Sequence, residues 1–199
     1  MVPKPEVLMQ SCRPPRADSV RNRARVLAAA ETVFAEQGLS APVDVIAEKA
    51  GVGVGTLYRH FPTKEKLYEA ILIERVVEIT ADARARLGSD DPGTAFFGFL
   101  EHLVDQSSLK RDLINAMAGA GVVFEVVAAE AKLELEAAMS ELLAAAQSAG
   151  SVRSDVTPAV VVSLVGATCM AADQPHGSPS PQQMLTIVCD GLRVTARAS

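Results

Sequence analysis

Ile46-Ala47-Glu48-Lys49-Ala50-Gly51-Val52-Gly53-Val54-Gly55-Thr56-Leu57-Tyr58-Arg59-His60-Phe61-Pro62 contains two short helical runs parted by glycine. Ile46, Ala47 and Ala50 share a helical face with Val43, and Pro42 just before them suits a first helical turn. Gly51 ends this run. Gly51-Val52-Gly53 then makes a tight turn, Val54 to His60 forms a second short helix, and Pro62 forbids its continuation. Two short helices joined by a glycine-containing turn of three or four residues are a helix-turn-helix. Leu57 and Phe61 belong to its core, because Ile46, Ala47 and Ala50 need an apolar partner across the turn.

Upstream, Val26, Leu27, Ala30, Val33 and Phe34 recur at helical spacing before Gly38, which predicts a first amphipathic helix over Ser19 to Gln37. Arg13, Arg16, Arg21, Arg23 and Arg25 crowd the approach to it. A basic arm leading into a helix engages phosphates or a minor groove, and Met1 to Pro15 reads equally well as a solvated tail. The formal charge of −5 looks wrong for such a partner until it is divided. Residues 1–68 hold ten Lys and Arg against seven Asp and Glu, giving +3, whereas residues 69–199 hold nine against seventeen, giving −8. The N-terminal third is the part suited to a polyanion.

The run from Ile46 to Phe61, followed by Lys64-Glu65-x-Leu67, resembles the TetR family of bacterial one-component regulators over Arg21 to Leu72. The resemblance implies that the second short helix enters the major groove of double-stranded operator DNA. It implies contacts from Gly53, Val54, Gly55, Thr56, Tyr58, Arg59 and His60, with Lys64 meeting a phosphate and Arg21 and Arg25 of the basic arm adding to the interface. The residue types suit those roles. Gly53 and Gly55 let backbone N–H groups approach phosphates closely, and Tyr58, His60 and Lys64 can donate to phosphate oxygens, which positions the protein without reading sequence. Arg59 can bind guanine O6 and N7 together, worth roughly 1 to 3 kcal/mol of discrimination. Thr56 and Val54 can add a hydroxyl and a thymine-methyl contact. In one place the chain departs from the family: many members carry a threonine at the start of the first of the two short helices, where this chain has Pro42 and Val43.

Beyond Pro62 the pattern stays helical. Thr63 can cap a long helix carrying Leu67, Ile71, Leu72, Val76, Ile79 and Ala83, ending near Gly88 to Pro92. Further helices are expected over Thr94 to Gln106, Leu109 to Gly119, Glu125 to Ala149, Thr157 to Ala172 and Gln182 to Ala196, with a polar connector at Ser151 to Asp155 and a loop at Asp173 to Pro181. The expected fold is all-α. A flexible arm, residues 1–18, precedes a three-helix DNA-binding domain, 19–62, and a larger helical domain, 63–199.

The resemblance implies that this larger domain binds a small effector among its middle helices and dimerises through its last two, 157–172 and 182–196. Local chemistry agrees: the first of these carries no charge, and the second has Met184, Leu185, Val188 and Leu192 at helical spacing, so both need cover on nearly every side. Burial within one protomer is the alternative. Phe96, Phe99, His102, Leu103, Met117, Phe124 and Met139 are the candidates to line an apolar cavity for a small apolar or aromatic effector, though a stripe at helical spacing is more often plain core. The function so implied is a ligand-responsive repressor that releases its operator when the effector binds.

Other classes find little support. There is no Gly-x-Ser-x-Gly elbow, phosphate-binding glycine loop or His-Glu-x-x-His, so neither an enzyme nor a catalytic residue is expected. His60, His102 and His176 lie in separate segments, and Cys12, Cys169 and Cys189 share no ligand spacing, so neither metal nor cofactor is expected. The longest apolar run, Ala159 to Ala172, falls short of the roughly 20 residues a membrane span needs. The first thirty residues carry no secretory pattern, so a cytoplasmic location is expected.

Overall fold

The computed structural model describes residues 15–106, 112–116, 129–171 and 180–194. They form two compact units, on either side of the Pro62–Thr63 bond.

The first unit holds α1 (Pro15–Gln37), α2 (Val43–Ala50) and α3 (Val54–His60). Helix α1 begins four residues before the expected Ser19. Pro15 has φ preset for a first turn and needs no helical N–H partner, and Asp18 in that turn complements the helix dipole. The helix stops where Gly38 adopts φ 77° and its N–H bonds the Phe34 carbonyl at 2.9 Å. Val26, Leu27, Ala30, Val33 and Phe34 are all buried, as are Ile46, Ala47 and Ala50 of α2. Pro42 is extended (ψ 145°) and offers no side-chain cap, so α2 starts at Val43 without a capping hydroxyl. Lys49 Nζ grips both carboxylate oxygens of Glu36, at 2.9 and 3.1 Å, tying the end of α2 to the end of α1.

The second unit holds α4 (Lys64–Arg86), α5 (Pro92–Asp105), a short helical stretch at 112–116, α6 (Ala129–Ser148), α7 (Pro158–Ala171) and α8 (Pro181–Leu192). Thr63 caps α4 as expected, its hydroxyl accepting from Lys66 N at 3.3 Å. Leu67, Ile71, Leu72, Val76, Ile79 and Ala83 are buried beneath it. Helix α5 starts two residues before the expected Thr94, because Asp91 accepts from Thr94 N at 3.0 Å and Pro92 occupies the first turn. It packs against α4, α6, α7 and α8 and so forms the centre of the unit. Ser180 and Gln183 close a capping box at the start of α8.

At the other end of α8 the structure corrects an expected boundary. The spacing predicts a helix running to Ala196, but Leu192 is its last residue and Arg193 is extended (ψ 149°). There the chain pairs with the connector before α7: Arg153 N donates to the Leu192 carbonyl at 3.0 Å and Val194 N to the Ser151 carbonyl at 3.3 Å. Val152, inside the segment expected to be polar, is buried by this pairing. Among the described residues this isolated bridge is the sole β-type pairing, and the fold is all-α. The expected helix Leu109 to Gly119 is described only over 112–116, and the loop Asp173 to Pro181 lies largely outside the described residues.

Candidate nucleic-acid interface and apolar cavity

Helix α3 is seven residues long and has two unlike sides. Gly53, extended at ψ 146°, caps it, and the Gly53 carbonyl accepts from Thr56 N at 2.8 Å and Leu57 N at 3.1 Å. Leu57 and Phe61 are 1% and 3% exposed, so both lie in the core as their sequence context requires. On the other side Gly53, Val54, Gly55, Tyr58 and Arg59 face solvent, with Thr56 and His60 half-buried. Tyr58 and Arg59 make no side-chain hydrogen bond or ion pair to any described residue. An added Cβ at Gly53 or Gly55 would meet nothing within 4 Å, so packing within the protein does not explain either glycine. This side therefore offers a phenol, a guanidinium and accessible backbone amides.

Arg21 and Arg25, expected to contact DNA, and Arg23 between them each have a partner within the first unit. Arg21 pairs with Asp18 on the same helix. Arg25 Nη2 donates to the Gly51 carbonyl at 3.2 Å, and Arg23 stacks over the Phe61 ring with its Cζ 5.4 Å from the centroid. Arg23 was expected only as part of the basic arm; its partner Phe61 lies far along the chain, and no local pattern announces the contact. Lys64, expected at a phosphate, is the first residue of α4 in the second unit. Its Nζ lies 5.9 Å from the Tyr68 ring centre, and partial burial lowers its pKa against the opposing pull of Glu65.

The second unit contains a partly open cavity of about 320 Å³, near the lower bound for small-molecule sites. Its described walls are Val76 and Ile79 of α4, Leu103 and Gln106 at the end of α5, Ile114, Lys132, Leu135, Glu136 and Met139 of α6, and Val162, Val165, Gly166 and Cys169 of α7. Gln106 is held by Arg75, whose Nη1 donates to its Oε1 at 2.6 Å. The expected lining is corrected in part. Leu103 and Met139 line the cavity, whereas Phe96 and Phe99 are fully buried core, because four helices surround α5. His102 is half-buried and does not reach the cavity, and Met117 and Phe124 lie outside the described residues.

Residues 26–71 match the family described as bacterial regulatory proteins, tetR family, and residues 91–194 match the C-terminal domain of SbtR-like transcriptional regulators. The chain belongs to the TetR family. Over nearly its whole length it is similar to the transcriptional repressor KstR2 of Rhodococcus jostii, 30% identical over 90% of this chain and 97% of that protein. It is 37% identical to the transcriptional activator FasR of Mycolicibacterium smegmatis over 40% of this chain, a match that spans 41% of FasR. A TetR regulator from Mycobacterium vanbaalenii has a similar crystal structure, with a TM-score of 0.74 and 42% identity over 91% of this chain and 100% of that one. This TetR-family chain is a DNA-binding transcriptional regulator. Among the described residues no helix is long and apolar enough to cross a membrane.

Proposed function

We propose that this TetR-family regulator is a ligand-responsive repressor that grips double-stranded operator DNA as a homodimer and lets go when a small apolar or aromatic effector fills the cavity of the second unit. Gly53, Val54, Gly55, Thr56, Tyr58, Arg59 and His60 of α3 face the major groove, Arg59 reads a base edge, and Lys64 meets a phosphate. Arg21 adds positive charge beside them. A cytoplasmic location, where the operator lies, belongs to the same reading.

One observation carries the coupling: α4 is a single helix from Lys64 to Arg86 that puts Val76 and Ile79 on the cavity wall. It follows α3 in the chain after only the short link Phe61 to Thr63. A ligand that displaces the wall shifts a rigid rod, and the shift is delivered to the segment that carries the DNA contacts. In a two-fold dimer those segments must sit about one DNA turn apart, roughly 34 Å, so a small pivot at each costs contacts in both half-sites. The homodimer is assigned to α7 and α8. Helix α7 carries no charge and leaves Val160 and Leu164 43% and 36% exposed, and Ile187 on α8 is 73% exposed.

The test is linkage. Small aromatic and aliphatic compounds are screened for a rise in melting temperature, and the affinity of a compound that binds is measured with and without operator. A preference of about 3 kcal/mol for the released form lowers operator affinity on the order of a hundredfold, and operator must weaken the ligand by the same factor. Equal ligand affinities in the two conditions would end the coupling.

A further inference from the structure

We infer that Arg23 and Arg25 of α1 form a clasp that sets the attitude of α3, and that Arg25 supports operator binding through the turn at Gly51 instead of by touching a phosphate. The inference rests on the reading of α3 as the DNA-contacting helix.

A seven-residue helix does not hold itself, since isolated helices shorter than roughly 12 to 15 residues are marginal in water. Within α3 only Leu57 is buried, and Phe61 just beyond its end is the second apolar anchor. Two anchors fix where the helix lies but only loosely fix its tilt and rotation, which decide where Tyr58 and Arg59 point. Two arginine side chains of α1 reach the residues that flank α3. At the near end Arg25 Nη2 donates to the carbonyl of Gly51, two residues before the Gly53 cap. At the far end Arg23 covers the ring of Phe61.

The turn is built to receive the first of these contacts. Gly51 has φ 62°, the left-handed region that glycine adopts without strain, and a Cβ there would stand 2.4 Å from Arg25 Nη2. The backbone therefore favours glycine, and a Cβ there would push the Arg25 guanidinium off the Gly51 carbonyl. Gly51 is also the C-cap of α2, where carbonyls converge and a cation is favoured. The Arg25 charge thus already has a partner inside the fold.

The experiment uses the full-length protein and the operator fragment recovered by sequencing DNA that the purified protein retains. Operator affinity is measured across a salt series for wild type, Arg25→Met, Gly51→Ala and the double variant, with melting temperatures alongside. A charge-assisted hydrogen bond lost from the clasp lowers affinity about tenfold. The clasp predicts that the double variant is no weaker than the weaker single, and that the slope of log affinity against log salt stays at its wild-type value in Arg25→Met. Additive losses, with a slope shallower by about 0.9, make Arg25 a phosphate contact and overturn the inference. So does wild-type affinity in Arg25→Met. A loss of affinity that merely tracks a loss of melting temperature reduces Arg25 to a fold-stabilising residue and overturns the inference as well. Should Arg25→Met not fold, Arg23→Met, Phe61→Leu and their double variant give the same cycle at the other end of α3. Failure of wild type to retain any DNA fragment is a different result, because it removes the DNA-binding reading itself and the clasp with it.

Discussion

Helices α3 and α7 both leave one side uncovered, and the uncovered chemistry differs. Beside α3 stand two glycines, a phenol and a guanidinium, whose surplus is hydrogen-bond donors with no partner among the described residues. Beside α7 stand Val160 and Leu164, whose surplus is methyl groups. Donors without partners suit a polyanion, because phosphate oxygens accept and water is a tolerable substitute in its absence. Methyl groups suit burial against another apolar surface, for which water is a poor substitute. An exposed surface is informative through what it lacks: α3 wants acceptors, α7 wants cover.

The largest expected effect comes from denying α7 its cover. Leu164→Glu places a carboxylate on the exposed side, where the monomer tolerates it. In a symmetric dimer the charge loses its water and gains nothing, at roughly 3 kcal/mol or more, so the dimer weakens by at least about a hundredfold and operator binding goes with it. Val165 is the wrong place for this change, since it is 8% exposed and forms part of the cavity wall. Sedimentation at micromolar concentration decides the matter. A monomeric wild type, or a Leu164→Glu variant that stays dimeric, would show that α7 finds its cover elsewhere.

A smaller effect separates two residues within α3. Arg59→Ala is expected to relax the preference at one base pair per half-site by roughly 1 to 3 kcal/mol, while weakly bound operators lose less. Tyr58→Phe keeps the ring and removes only the hydroxyl, so binding to every operator variant weakens by about 1 kcal/mol alike. Competition binding over a set of single-base operator variants tells the two patterns apart. Unchanged discrimination in the Arg59 variant would move base reading to another residue.

The sequence made α3 far more legible than the cavity, for reasons of distance along the chain. Gly51, Gly53 and Pro62 act on their own neighbours, and Leu57 and Phe61 need only the adjacent helix to be placed in the core, so local rules sufficed. The Thr63 cap is readable in the same way. The Asp91 cap is less so, because the apolar pattern of α5 begins only after it and the Gly88 to Pro92 run has the composition of a loop. The end of α8 has no local signal at all: Arg193 to Ala196 can be helical, and the helix stops because Val152, some forty residues earlier, pairs with the chain there. In α5, Phe99 and Leu103 stand one turn apart on one stripe, yet the first is core and the second lines the cavity. Periodicity identifies the stripe but not which helices close over each turn. The engagement of Arg25 with Gly51 spans 26 positions and is equally invisible to spacing.

The smallest effect is also the most discriminating, because its two readouts carry opposite signs. Gly55 sits in the first turn of α3, its backbone is ordinary helix, and a Cβ there meets nothing within 4 Å. Replacing it by alanine removes the conformational freedom that glycine must give up on folding, which stabilises a helix by roughly 0.5 to 1 kcal/mol. The melting temperature of Gly55→Ala is therefore expected to rise by about 1 to 4 °C. If the exposed side of α3 lies against phosphates, the new methyl stands where the DNA backbone must approach, and operator affinity falls although the protein is more stable. No account based on folding alone yields that combination, since a better-formed α3 would bind at least as well. Calorimetry and operator binding on one preparation provide both numbers. Greater stability with unchanged affinity would mean that nothing comes close to Gly55, and the DNA-facing side of α3 would have to be turned toward Arg59 and away from its glycines.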